Sequence, residues 1–485
     1  MDSQPTVPNS SKYSPRQSAR RTSGDPLAPL EIATLIHVGV FVVAATWAFG
    51  GNDLNVRPPL LAWGSLSVII TLLALRHVHQ GPRPPSKRRY LWLIPFLLFN
   101  AYVVIGLFNP SQTEILNGSE KMLLTGTYTH WLPSTARPRL AAWALWAFDT
   151  AFLSAFNLAV VVRRRRALRG LLLVLCGNAT ALAVFGTLQK LAGAKGLFFG
   201  LVHSPNPSFF STFIYHNHWG AYILLSTAAA LGLFWHYLRR GDREYRDVWH
   251  SPAFVGAVGI LLLSATIPLS SSRSSTLLLV GLLGLAFIHG ALRAIRSRRG
   301  NNESPALPLA GIGAILVLGA AAILWLANPV IRMRWELTKS QVTTMERHGT
   351  IGSRIALYRD TLAMAKAQPI YGWGMGSYPT IFYRYNTAVP RSDNLPIFYA
   401  DAHSDWLQAF AELGLVGSAL IGLCGLLPLF SLIRGGARSL ISRYLLAGCA
   451  IILLYAWVEF PLGDFAVVIV WWVSLFSAVA YASLD

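Results

Sequence analysis

The chain has 485 residues, of which 53% are hydrophobic and only 13% are charged, and its formal net charge is +20. The charged fraction is about half of the roughly 25% that is typical of a soluble domain. This composition excludes a soluble globular enzyme, a disordered chain, a coiled coil and a disulfide scaffold. It predicts an all-α polytopic membrane protein.

Apolar segments along the chain predict about twelve membrane-spanning helices, each needing about 20 apolar residues. Residues 1–29, rich in Ser, Pro and Arg, are expected to be a disordered cytoplasmic tail. Residues 30–328 are predicted to form a first helix bundle, 329–412 an extracytoplasmic catalytic loop with short helices, and 413–485 the closing spans. The spans are expected near 31–49, 58–75, 90–108, 140–162, 170–190, 218–237, 253–270, 274–291, 306–328, 413–433, 444–460 and 464–482.

Most of the basic residues form clusters that fall on one side of a twelve-span chain. Cytoplasmic loops of membrane proteins carry an excess of Lys and Arg, so this side is expected to be cytoplasmic, with both termini on it. The positive charge is therefore mainly a topology signal, and nucleic acid is not expected as a partner. The clusters are Arg16, Arg20 and Arg21; Lys87 to Arg89; Arg163 to Arg166; Arg239 and Arg240; Arg293 to Arg299; and Arg434, Arg438 and Arg443.

The long predicted loop contains a first amphipathic helix over residues 352–366. Ile355, Tyr358 and Leu362 repeat there at helical spacing, and Pro369 follows as a stop signal. Long loops in compact proteins are uncommon unless they are functional or disordered. The loop is therefore the place where chemistry is expected.

Two further features of the loop follow this helix. Gly372, Gly374 and Gly376 permit a tight turn, whose backbone amides can either approach a phosphate or simply form a sharp bend. A second helix is predicted to start next to His403, with Asp405 in its first turn, where an acidic residue suits the helix dipole. His403 is either a general base or a histidine bonded to a nearby carbonyl.

Several sequence motifs together resemble the O-antigen ligase and polymerase-like superfamily. The succession GSRIALYRDTLAMAKAQPIYGWGMGSYP, then AHSDWLQAFAELGLVGSAL after a gap, is similar to the outer loop of that superfamily. The segments TFIYHNHWGAYILL and SSSRSSTLLL resemble two earlier segments of it. This chain departs from the pattern by having Tyr358 where Trp is common and by its His-Asn-His cluster.

The resemblance implies a membrane glycosyltransferase of the bacterial inner membrane, with its active site on the periplasmic side. Members transfer a glycan from an undecaprenyl-diphosphate carrier to an acceptor hydroxyl on a lipid or a glycan. The expected partners are therefore the lipid-linked donor, the acceptor and the bilayer. No bound metal, nucleotide sugar or other cofactor is implied. Ligation and polymerisation remain open alternatives.

The resemblance also assigns roles to three residues of this chain. His403 matches the base that activates the acceptor, because a hydroxyl is a poor nucleophile until its proton is removed. Arg354 and Arg273 match arginines that hold the diphosphate, for which the planar, permanently charged guanidinium is well suited. Arg273 lies in a short turn between two predicted spans, and an ordinary interfacial arginine remains an alternative there. For Arg354 the alternative is a solvent-facing or salt-bridging arginine.

The sequence His216-Asn217-His218 lies at the expected outer mouth of the sixth span. We expect His216 and His218 to contact the donor, with Asn217 in support. A metal site is a weaker alternative, because the sequence offers no carboxylate or cysteine nearby to complete it. Ordinary interfacial polar residues are the third possibility.

Asp149 lies near the middle of the fourth predicted span. A carboxylate at that depth is unfavourable and is a functional candidate by default. We place it with Asp405 and Gly374 as a supporting candidate. It also suits the alternative function, a multi-span transporter or flippase for a lipid-linked glycan or a small solute. The sequence has no evident internal repeat of spans, which many transporters show, and this favours the enzyme.

Overall fold

The computed structural model describes residues 28–77, 87–117, 120–244, 252–300, 353–387, 398–435 and 439–484. These residues form helices and one β-hairpin. The elements are α1 (Ala28–Trp47), α2 (Arg57–His77), α3 (Leu93–Leu107), β1 (Gln112–Asn117), β2 (Glu120–Thr125), α4 (Pro138–Val161), α5 (Arg165–Leu191), α6 (His216–Glu244), α7 (Pro252–Leu269), α8 (Arg273–Gly300), α9 (Ser353–Ala367), α10 (Tyr378–Ile381), α11 (Asp405–Gly435), α12 (Leu440–Tyr455) and α13 (Phe465–Ser483).

Ten helical segments in the described part of the chain are long and apolar enough to cross a membrane. The chain is therefore a polytopic membrane protein, as its composition predicts. The span predicted at 444–460 corresponds to α12, which has only 16 residues. The span predicted at 306–328 lies outside the described residues, so the total of twelve remains a prediction.

The core of the bundle is formed by α4, α6 and α13, the most deeply buried helices. Other helices, rather than lipid, cover most of the surface of these three spans. Aromatic side chains fill the contact between α4 and α13. Phe152 stacks on Phe96 of α3 at 4.8 Å between ring centroids and meets Trp472 edge-on at 5.1 Å. This rigid centre positions the helix ends described below.

The expectation of an all-α fold is wrong in one respect. Strands β1 and β2 form an antiparallel hairpin between α3 and α4, in which Gln112 lies opposite Thr125 and Asn117 opposite Glu120. The sequence carries a signal for it, since the two residues between the paired strands are Gly118 and Ser119, and a Gly-X pair is one of the favoured two-residue hairpin connections. A search for apolar spans does not detect so short an element.

Helices α9 and α10 and the first turns of α11 share a small second core, here called the loop core. The predicted helix over 352–366 is confirmed as α9, and it ends before Pro369 as expected. The loop before α4 joins this core, because Ala136 donates its N–H to the carbonyl of Trp373 at 2.8 Å. The buried members are Ala136, Leu357, Met364, Ala365, Tyr378, Ile381, Phe382, Ala402 and Ala411.

The two ends of the bundle differ in their polar residues. One end, here called the site end, joins the N-terminal ends of α6, α8 and α11 to the C-terminal end of α12. The opposite end carries arginines from the predicted cytoplasmic clusters. Arg164 of the 163–166 cluster pairs with Glu31 at 2.8 Å, and Arg169, which follows that cluster, donates to the hydroxyl of Tyr481 at 3.0 Å.

Candidate functional site

A histidine, a glutamate and an arginine meet at the site end. Nδ1 of His403 lies 3.3 Å from Oε2 of Glu459, and Nη2 of Arg354 donates to Oε1 of the same carboxylate. The side chain of Glu459 is 3% exposed, that of His403 30% and that of Arg354 47%. The carboxylate is therefore enclosed between two basic groups that reach the surface.

The turn that carries Glu459 is fastened to the start of α11. Asp405 donates its backbone N–H to the carbonyl of Glu459 at 3.3 Å, and its carboxylate accepts the N–H of Leu462 at 2.8 Å. The hydroxyl of Ser404 donates to the carbonyl of Ala456 at 3.3 Å. Asp405, a predicted supporting residue, thus connects α11 to residues 456–464. These bonds hold His403 and Glu459 on adjoining pieces of backbone.

His403 has an unusual backbone conformation, with φ at 51°. Residues other than glycine rarely adopt this left-handed region, and such strain clusters at functional sites. The hydroxyl of Tyr358 donates to the carbonyl of His403 at 2.9 Å. The N–H of Ala402 is bonded to Oε1 of Gln408 at 3.0 Å. The histidine is therefore held in place through its backbone on both sides.

The charges at this site favour an ionised carboxylate. Burial alone would raise the pKa of Glu459, but the hydrogen bond from His403 and the charge of Arg354 outweigh it and hold that pKa below its ordinary value. Burial likewise opposes the charge of Arg354, yet Glu459 raises the pKa of its guanidinium. An anionic acceptor at Nδ1 selects the tautomer with the proton on Nδ1. Nε2 then keeps the lone pair that a general base needs.

Phe460 brings the start of α6 to this group. Its ring lies edge-on to His403 at 4.9 Å and to His218 at 5.0 Å, and it stacks with Tyr215 at 5.4 Å. His216 lies beside this cluster, with Nδ1 3.0 Å from the carbonyl of Ser208. Both predicted histidines thus lie at the site end.

His218 itself is buried. Its side chain is 8% exposed, and Nδ1 lies 3.5 Å from Oδ2 of Asp464, which is 1% exposed. Within the described residues, neither ring nitrogen has a hydrogen-bond partner of good geometry. Asp464 also accepts from Nδ2 of Asn52 at 2.6 Å and caps α13 through the N–H of Val467 at 3.1 Å. His218 therefore faces a buried carboxylate rather than the surface.

A chain of polar side chains fixes the N-terminus of α8. The hydroxyl of Ser272 donates to Oδ1 of Asn217 at 2.6 Å, and that of Ser275 donates to the hydroxyl of Tyr455 at 3.0 Å. Arg273 lies between these serines and is exposed. Its guanidinium makes no hydrogen bond or ion pair with the part of the chain that the structure describes. Asn217 thus supports Arg273 indirectly, through Ser272.

The backbone N–H groups of the glycine turn are largely occupied by Glu412 and so are not available to bind a ligand. The N–H groups of Gly376 and Tyr378 both donate to the Glu412 carboxylate at 2.8 Å, and the N–H of Gly374 donates to the carbonyl of Glu412 at 2.7 Å. Gly374 has φ at +94°, and a Cβ there would lie 2.2 Å from Oγ1 of Thr135. The residue lies in a sharp turn closed by a carboxylate, away from the histidines.

Asp149 also lies apart from this group. Its carboxylate accepts from Nδ2 of Asn100 at 2.9 Å, which joins α4 to α3 inside the bundle. The structure thus brings together His403, Arg354, His216, Asn217 and His218, with Arg273 and Asp405 beside them. It leaves Asp149 and Gly374 elsewhere.

Sequence reasoning missed Glu459, Phe460 and Asp464. They lie in a short segment between two apolar helices, VEFPLGDF, which holds two carboxylates and no basic residue. Carboxylates at the edge of a span are unfavourable unless they have partners, and this is the signal that could have found them. Glu459 is separated from His403 by 56 residues, so motif spacing alone does not connect the two.

Comparison with known proteins identifies part of the chain. Residues 258–422 match the model of the family described as O-antigen ligase. An uncharacterized protein of Haemophilus influenzae is 24% identical over 183 residues, which cover 37% of this chain and 43% of that protein. The family segment contains Arg273, Arg354 and His403, whereas Glu459 lies beyond it. The match confirms the resemblance found in the motifs and places residues 258–422 of this membrane protein with the O-antigen ligase-like family.

Proposed function

We propose that the chain is a membrane glycosyltransferase of O-antigen ligase type. It transfers a glycan from an undecaprenyl-diphosphate carrier to an acceptor hydroxyl, on a lipid or on a growing glycan. The observation that carries this proposal is the contact between His403 Nδ1 and the buried carboxylate of Glu459, at 3.3 Å. This arrangement suits a base whose second nitrogen must accept a proton.

The chemistry assigned to this pair is a single displacement. Nε2 of His403 takes the proton of the acceptor hydroxyl, while Nδ1–H stays directed at Glu459. The acceptor oxygen forms a bond to the anomeric carbon of the donor sugar. The bond from that carbon to the diphosphate oxygen breaks, and the lipid diphosphate leaves with the electron pair. A positioned base contributes about 10²–10⁴-fold to such a reaction.

The leaving diphosphate gains negative charge and needs cations. We assign Arg273 as its main ligand, because this exposed guanidinium at the N-terminus of α8 is not bonded to the described residues. Arg354 is assigned first to Glu459, and its exposed part also faces the donor. We place His216 near the donor sugar. The buried His218 contacts the ring of Phe460, and we assign it to supporting the segment that carries Glu459 and Phe460.

We propose the periplasmic side of a bacterial inner membrane for the site, with both termini in the cytoplasm. The support is the distribution of charge. The described arginines of the clusters at 87–89 and 163–166 lie at the end of the bundle opposite His403. Basic residues accumulate on the cytoplasmic side of membrane proteins.

Reconstitution of the purified protein in liposomes tests the reaction class. The donor is a glycan on undecaprenyl diphosphate, and the acceptors offered are a lipid A–core and a second lipid-linked glycan. Covalent transfer to either acceptor supports the proposal, and the acceptor used separates ligase from polymerase. Movement of the donor across the bilayer without transfer would support the flippase alternative, for which Asp149 in α4 would be the residue to replace.

A further inference from the structure

One face of α9 contacts both members of the His403–Glu459 pair. Arg354 and Tyr358 are four residues apart and so lie on the same side of the helix. Arg354 donates to the carboxylate of Glu459, and the hydroxyl of Tyr358 donates to the backbone carbonyl of His403 at 2.9 Å. The helix therefore holds the carboxylate through a side chain and the histidine through its main chain.

The main chain of His403 needs such support. Its φ of 51° lies in the left-handed region, which a residue with a Cβ keeps only when its surroundings determine it. Gln408 holds the preceding residue, and the hydroxyl of Ser404 holds the following one against the carbonyl of Ala456. The bond from Tyr358 is the contact made to the carbonyl of His403 itself. It fixes the peptide that follows the histidine.

Tyr358 is suited to donate this bond at all working pH values. Its ring is half-buried beside Arg354, and burial raises the pKa of its hydroxyl despite the nearby guanidinium. The hydroxyl therefore keeps its proton. Removing the oxygen leaves the ring packing in place and takes away a single donor, so Tyr358→Phe is a small change.

We propose that Tyr358 is a positioning residue for glycan transfer. Its hydroxyl holds the left-handed backbone of His403, and this directs Nδ1 at Glu459 and Nε2 at the acceptor. The inference rests on the proposed function for its catalytic readout.

Kinetics of the Tyr358→Phe protein in liposomes provide the first test. We expect kcat to fall about 5–10-fold, which corresponds to the loss of one neutral hydrogen bond, with the KM for the donor unchanged. In a Glu459→Gln background the same change should add little, because both residues act through the orientation of one ring. Tyr383→Phe is the matched control, since that ring is 65% exposed, and it should transfer like wild type.

A second readout does not depend on activity. Diethyl pyrocarbonate modifies neutral imidazole, and its rate at His403 can be followed by mass spectrometry. We expect faster modification of His403 in Tyr358→Phe than in wild type or Tyr383→Phe. The proposal would be overturned if His403 of Tyr358→Phe were modified at the wild-type rate, or if this variant kept the wild-type kcat. It would also be overturned if the losses in kcat from Tyr358→Phe and Glu459→Gln multiplied in the double variant. If wild type itself transfers no glycan but the modification rate changes, the proposed function fails and the positioning role stands.

Discussion

Two buried glutamates near the start of α11 illustrate how a carboxylate can hold a fold or carry chemistry. Glu412 accepts the backbone N–H groups of Gly376 and Tyr378. Glu459 instead faces the side chains of His403 and Arg354. Backbone amides keep their protons, so these contacts of Glu412 hold a turn. A histidine exchanges its proton, so Glu459 can set the state of a base.

Of the changes to these acidic residues, Glu459→Gln is expected to have the largest effect. The neutral amide no longer selects the Nδ1–H tautomer or balances an imidazolium, so we expect transfer to fall about 10²–10⁴-fold. The rate of glycan transfer in liposomes measures this. Thermal unfolding in detergent checks that the variant folds. If Glu459→Gln transferred glycan at nearly the wild-type rate, Glu459 would have no role in the chemistry and would not differ from Glu412 in this respect.

Glu412→Gln should give the opposite result. The amide offers one acceptor oxygen where the carboxylate uses two, and its NH₂ group meets a backbone donor. We expect a loss of about 1–3 kcal/mol in stability, the cost of a buried unsatisfied donor. The transfer rate per folded molecule should stay near wild type. A lower melting temperature with a normal rate supports the assignment, and a specific loss of rate would contradict it.

A smaller effect is expected from Asp464, at the other end of the turn that carries Glu459. Burial raises the pKa of this carboxyl to about 8 from its ordinary 3.8, against the bonds from Val467 and Asn52. Between these values the unfolded chain binds fewer protons than the folded one. The stability that Asp464 contributes therefore decreases as pH rises from about 4 to about 8.

Asp464→Asn should flatten this dependence. Melting temperatures of wild type and variant, measured between pH 5 and pH 8, provide the comparison. We expect wild type to lose more stability than the variant over this range. Parallel curves would show that other groups produce the slope. The result tells whether a titrating group anchors the turn around Glu459.

Local patterns predicted much of this molecule. Helical spacing gave α9, and its stop before Pro369 follows from the chemistry of proline. Most spans follow from apolar length alone. His403 and Arg354 were chosen as candidates because they lie in motifs that resemble the O-antigen ligase family.

Contacts distant in sequence were not predictable in this way. Glu459 meets His403 only after two helices return the chain to the site end. The glycine turn was ambiguous because its spacing does not reveal that Glu412 occupies the amides. The sequence likewise does not reveal that Arg273 is exposed and His218 is buried, because this depends on how α6 and α8 pack.

The most direct test of the central claim is the rate of glycan transfer by His403→Ala. The protein is reconstituted with an undecaprenyl-diphosphate-linked glycan and a hydroxyl acceptor, beside wild type and His130→Ala. His130 is an exposed histidine in the loop before α4 and serves as the matched control. The account predicts that His403→Ala folds and inserts but transfers no glycan above background, while His130→Ala transfers normally. Transfer by His403→Ala at the wild-type rate would contradict it.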